Sequence, residues 1–111
     1  MMKKVLGLTL TMALAGLVAA AHAQQPPTGN AEAAKGKISM CQGCHGIESY
    51  RMAFPAVYHV PKIAGQSPVY IAKALDEYKT GQRASATMQA IAKQLSEQDM
   101  ADLAAYYGAA K

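Results

Sequence analysis

The sequence predicts an all-α domain, and three observations predict it. Apolar residues recur at helical spacing in several segments. Those segments carry helix start and stop residues at their ends, and no segment shows the apolar–polar alternation of a half-buried strand. With 111 residues the chain has room for one small domain, and about four short helices are expected.

The first 23 residues read as a cleavable export signal rather than as part of the fold. Lys3 and Lys4 give a basic start, Val5 to Ala20 is an uncharged apolar run, and Ala21-His22-Ala23 is a small-x-small cleavage pattern. The run is short for a membrane span of about 20 residues, so removal after Ala23 is expected, with no stable membrane insertion afterwards. Of eleven basic side chains the leader takes Lys3 and Lys4, leaving nine against seven acidic ones, a formal charge of +2. Such a weak bias does not indicate nucleic acid, which draws a clustered basic face. A domain of this size buries a modest core. With one Phe and no Trp, it calls for a disulfide, metal or cofactor to supplement that core.

Residues 24–29 contain Pro26 and Pro27 and read as a flexible lead-in, with the domain proper over 30–111. Asn30 can cap a helix whose inner face carries Ala34, Ile38, Cys41 and His45, although Gly36 weakens it. From Gly46 to Gly65 no period persists, and Pro55 and Pro61 interrupt the chain. A loop of about 20 residues is uncommon in a compact domain unless it is functional or wraps something. Ser67-Pro68 reads as a cap followed by proline at the first helical position. Ile71, Ala74, Leu75 and Tyr78 then share one face, and Gly81 ends the helix. A short helix from Thr87 to about Gln94 turns Met88, Ile91 and Leu95 inward. Ser96 with Asp99 resembles a capping box opening a last helix from Glu97 to about Tyr107, with Met100, Leu103, Ala104 and Tyr107 on one face.

The chemistry sits in Cys41-Gln42-Gly43-Cys44-His45, the C-x-x-C-H pattern of covalent haem attachment. On one helical turn residues i and i+3 share a face, so both cysteines can reach the two vinyl groups on one edge of a haem. His45 can then turn its imidazole to the iron, and Gly43 removes a side chain where the porphyrin edge lies close. Competing readings fit less well. A Cys41–Cys44 disulfide suits an exported chain but leaves His45 unused. A redox dithiol needs a βαβ setting, and a zinc site needs four ligands. Opposite His45 the iron takes Met, His or nothing. Met40 adjoins the motif and cannot cross the ring, and Met100 lies on the core stripe of the last helix. Met52 and His59, in the wrapping loop, stay open by spacing. Spacing also leaves Met88 undecided between iron ligand and core methionine.

At these residues the sequence resembles the class I c-type cytochromes, in particular the bacterial cytochrome c4/c553-like group. The resemblance rests on Gly36-Lys37, Cys41 to Gly46, Pro61 to Gln66, Tyr70 to Arg83 and the run from Met88 to Tyr107. It implies a small class I cytochrome c fold around one covalent haem c with its iron. It also implies His45 and Met88 as axial ligands, a Pro61 carbonyl accepting from His45 Nδ1–H, and Arg83 near a propionate. The Gly46-to-Val60 stretch departs from the group in its length and in its aromatics Tyr50, Phe54 and Tyr58. The expectation is a monomeric periplasmic electron carrier of a bacterium, not an enzyme, docking transiently with redox-partner proteins at the haem edge. The alternatives are a ligand binder or sensor with an open iron site and a fixed electron-transfer subunit of a dehydrogenase complex.

Overall fold

A computed structural model describes residues 27–52 and 59–110; the expected export signal, together with Phe54 and Tyr58, lies outside them. Five helices follow one another: α1 Ala31–Ala34, α2 Ser39–His45, α3 Pro68–Thr80, α4 Ala86–Ala92 and α5 Glu97–Ala109. Among the described residues there is no strand, only an isolated antiparallel bridge between Arg51 and His59. The class is all-α, as the periodicity predicts.

The first predicted helix is divided in two. Asn30 caps α1, its side chain accepting from the Glu32 and Ala33 amides. Residues 35–38 then form a turn rather than helix, and Gly36 stands in it, where a residue with no Cβ favours leaving the helix. The inner face nevertheless survives the break. Ala34 is fully buried, and Ile38 and Cys41 pack against the same core, because Lys37 and Ile38 both donate to the Ala34 carbonyl and carry the helical rotation through the turn.

α3 starts at Pro68 and stops at Gly81, whose φ of 81° is the left-handed conformation open to glycine. Ser67 occupies the cap position without making a side-chain cap hydrogen bond, so Pro68 alone marks that start. α4 begins earlier than the periodicity implies. Ser85 caps it, accepting from the Met88 amide at 3.3 Å. The capping box of α5 forms reciprocally between Ser96 and Asp99. Lys37 adds an ion pair to the Asp99 carboxylate, which together with the Ser96 amide lowers its pKa to about 2.

α5 is the centre of the fold. It packs against α1 and α3, and α3 in turn against α4. The core cluster joins Ala34, Ile71 and Leu95 to Met100, Leu103, Ala104 and Tyr107 of α5, the four α5 positions that the sequence spacing picks out. A Cβ on Gly29 would run into the Ala101 carbonyl and one on Gly108 into the Pro68 ring, so two glycines let chain segments close onto α5. Asp102 is buried as well. It accepts from the Asn30 amide and from Gln98 Nε2, each at 2.8 Å, while Gln98 also donates to the Thr28 carbonyl. These bonds, the Asn30 amide first, hold the Asp102 carboxyl below its ordinary pKa.

Candidate functional site

Cys41, Cys44 and His45 lie together on α2, a helix with no buried residue. Cys41 packs against the core, and no disulfide joins it to Cys44. Burial pushes the Cys41 thiol up, opposed by the Tyr107 hydroxyl beside it. Among the described residues no three His, Cys, Asp or Glu side chains gather as a metal cage, which is the arrangement a zinc site needs.

His45 is half-buried at the end of α2. Its Nδ1 meets the Pro61 carbonyl at 2.5 Å, so the Nδ1–H tautomer donates there and Nε2 carries the free lone pair. A ring held in this way is oriented and made more basic as a ligand. Pro61 is delivered by the loop after α2, whose neck is tied by Val60 N donating to Tyr50 O at 2.8 Å. Next to that bond, Arg51 Nε donates to His59 Nε2 at 2.9 Å. His59, one of the minor ligand candidates, therefore has its Nε2 engaged by Arg51. Ser49 enters this neck with φ of 55°, a conformation uncommon for a residue with a side chain.

Met88 is half-buried in the first turn of α4, a helix that packs against α3. Its backbone is fixed by the Ser85 cap. Arg83, predicted near the site, lies 5.7 Å and 5.3 Å from the ring centres of Tyr70 and Tyr78. It also donates from Nη2 to the Tyr70 hydroxyl at 3.0 Å. Met40 and Met100 fall where spacing puts them, Met40 exposed and Met100 buried in the core.

The residues present fit a covalently held haem on observations independent of the motif. Met40 of α2 is 42% exposed, and Ile47, just beyond the end of that helix, is 50% exposed. The Tyr107 hydroxyl is buried beside Cys41, and burial pushes it up to about 12. Exposed apolar side chains flanking the attachment motif are features that a large amphiphilic group can cover. A cleft of about 310 Å³ also opens beside His45, walled by Ile47, Glu48, Val60 and Lys62. The larger cleft, about 530 Å³ between α3, α5 and the lead-in, contains none of these site side chains. Sequence reasoning missed Ser85, Gln89 and the Tyr70–Arg83 contact; a serine three residues before Met88 was the available signal for the first.

Comparison with known proteins agrees with this geometry. A cytochrome c family model matches residues 31–108. The chain is 37% identical over 111 residues to cytochrome c4 of Pseudomonas aeruginosa, covering all of this chain and 50% of that protein. It is 39% identical over 82 residues to cytochrome c-554(548) of Halomonas halodenitrificans, covering 71% of this chain and 94% of the relative. It is also 35% identical over 68 residues to the cytochrome subunit of sulfide dehydrogenase of Chlorobaculum tepidum, covering 61% of this chain and 57% of that one. The chain thus spans about half the length of the cytochrome c4 proteins it matches. No helix among the described residues is long and apolar enough to cross a membrane.

Proposed function

This chain belongs to the cytochrome c family, whose covalent haem c and iron it carries, and from that premise we propose that it is a periplasmic monohaem electron carrier with His45 and Met88 as axial ligands. In this reading residues 1–23 are a signal removed on export, 24–29 a lead-in, and 30–111 the haem domain. The observation that carries it is the Pro61 carbonyl on His45 Nδ1, which leaves Nε2 as the ring nitrogen available to a metal.

When bound, the haem supplies one-electron chemistry between ferrous and ferric iron. Cys41 and Cys44 would hold its edge through thioether bonds. His45 would give its Nε2 to the iron, with Pro61 keeping that ring from rotating. Met88 would bring a neutral thioether from α4, which favours the ferrous state relative to a second imidazole and so raises the potential. Arg83, its guanidinium steadied by Tyr70 and Tyr78, would pair with a propionate. No bond is made in a substrate, so no acid, base or nucleophile is required. Redox-partner proteins dock transiently on a small surface at the haem edge, and the carrier works as a monomer.

A second reading is favoured by one observation, the match to a cytochrome named as a subunit of sulfide dehydrogenase. Here the chain would be the fixed electron-transfer partner of a dehydrogenase, and co-purification at native levels separates the two. Ligation is tested on protein matured with a haem-attachment system. Haem that stays with the chain through acid extraction, with a ferric methionine–sulfur band lost in Met88→Ala, is the expected result. Colourless protein with both thiols unmodified would sink the attachment reading. An open-iron sensor would instead bind carbon monoxide rapidly in the parent protein.

A further inference from the structure

The loop between α3 and α4 is tied at Arg83, whose side chain ion-pairs with Glu77 at 3.9 Å and donates to the Tyr70 hydroxyl. Arg83 donates its amide to the Glu77 carbonyl of α3 at 3.1 Å. Its guanidinium lies over Tyr70 and Tyr78 of the same helix. Its carbonyl accepts from Gln89 Nε2 at 3.0 Å, across a half-buried contact to α4. Residue 83 is therefore fastened to α3, and Gln89 is the side chain that fastens α4 to residue 83.

Gln89 follows Met88 directly. The Gln89 amide donates to the Ser85 carbonyl at 2.8 Å and the Met88 amide to the Ser85 hydroxyl, so residues 85 to 89 move as one turn. α4 has seven residues, too few to hold its position by its own helical stability. At its far end Lys79 of α3 donates to the Leu95 carbonyl, and Leu95 and Ala92 are buried. The end that carries Met88 has no fully buried residue.

We propose that Gln89 is a positioning residue for Met88, fixing through the Arg83 carbonyl how far the first turn of α4 stands from α3. The inference rests on Met88 being the iron ligand. Gln89 touches neither iron nor porphyrin in this account; it lowers the frequency with which the thioether swings away.

The test uses haem-loaded protein and reads carbon monoxide binding to the ferrous form, which must wait for Met88 to leave. Gln89→Leu keeps the bulk but cannot donate. One hydrogen bond of ordinary net strength predicts about fivefold faster binding, with the ferric methionine–sulfur band lost at lower pH than in the parent. Gln89→Glu sets a carboxylate against the Arg83 carbonyl and should exceed the leucine variant. Gln94→Leu is the control: its amide donates only to Ala90, at 3.2 Å and within its own turn, and the rate should not change. If both Gln89 variants bind at the parent rate while the parent shows the methionine–sulfur band, the inference is overturned and the ligation stands. A parent protein without that band overturns both.

Discussion

Two halves of this molecule are built on different terms. α1, α3 and α5 bury each other around Leu103, which is 1% exposed, with Met100, Ala104 and Tyr107 beside it. α2, which carries the attachment motif, sets Cys41 against that core but leaves Met40 in the open, and Ile47 just after it is exposed too. The first half is a scaffold that completes itself with its own side chains. The second is shaped by fixed points, the Pro61 carbonyl on His45 and the tied loop neck, beside a cleft of about 310 Å³. In this fold the polypeptide supplies orientation where the cofactor supplies mass.

That contrast can be broken by experiment on the haem-loaded protein. The largest effect belongs to the scaffold. Leu103→Ala should lower unfolding stability by about 3 kcal/mol, measured by urea titration, and a cost under about 1 kcal/mol would mean that the cofactor rather than α5 holds the fold. Next comes Gly29→Ala, where a methyl would meet the Ala101 carbonyl and the Ala105 methyl and overpacking costs about 2 kcal/mol. Acid titration probes the same half. Asp99 is held at about pKa 2 by Lys37 and the Ser96 amide, and Asp102 is lowered by Asn30 and Gln98. Carboxylates depressed in the folded state contribute stability that is present above their unfolded values and is lost as pH falls toward 2. The melting temperature should drop through that window, and Asp99→Asn should flatten part of the drop. Smallest is Ile47→Ser: with the haem covering this half-exposed side chain, the loss should be about 1 kcal/mol, and a cost within about 0.5 kcal/mol would show that the porphyrin leaves Ile47 open.

Local chemistry was the legible part of the sequence. Asn30, the Ser96–Asp99 box, Pro68 and Gly81 mark helix ends by bonds or conformations that involve only near neighbours, and all can be read from the chain. The apolar stripe of α5 is equally plain, because one face must meet the core. The break at residues 35–38 stands at Gly36, which already weakened the predicted helix. What stayed unread depends on distance along the chain. The burial of Asp102 depends on Asn30, 72 positions earlier. At the site, C-x-x-C-H announces Cys41, Cys44 and His45, and the resemblance adds Pro61 with its bond to His45. Gln89 carries no signature, since a glutamine meeting a backbone carbonyl six residues back leaves no pattern in composition or period.

The placement of the core in α5 has a consequence for how the fold closes. Four of the seven residues in the buried cluster lie between positions 100 and 107, and Ala34 is another, so the core forms only when segments about 70 positions apart meet. The stretch bearing Cys41 and Cys44 lies inside the loop closed by that contact, and its ordering carries part of the closure entropy.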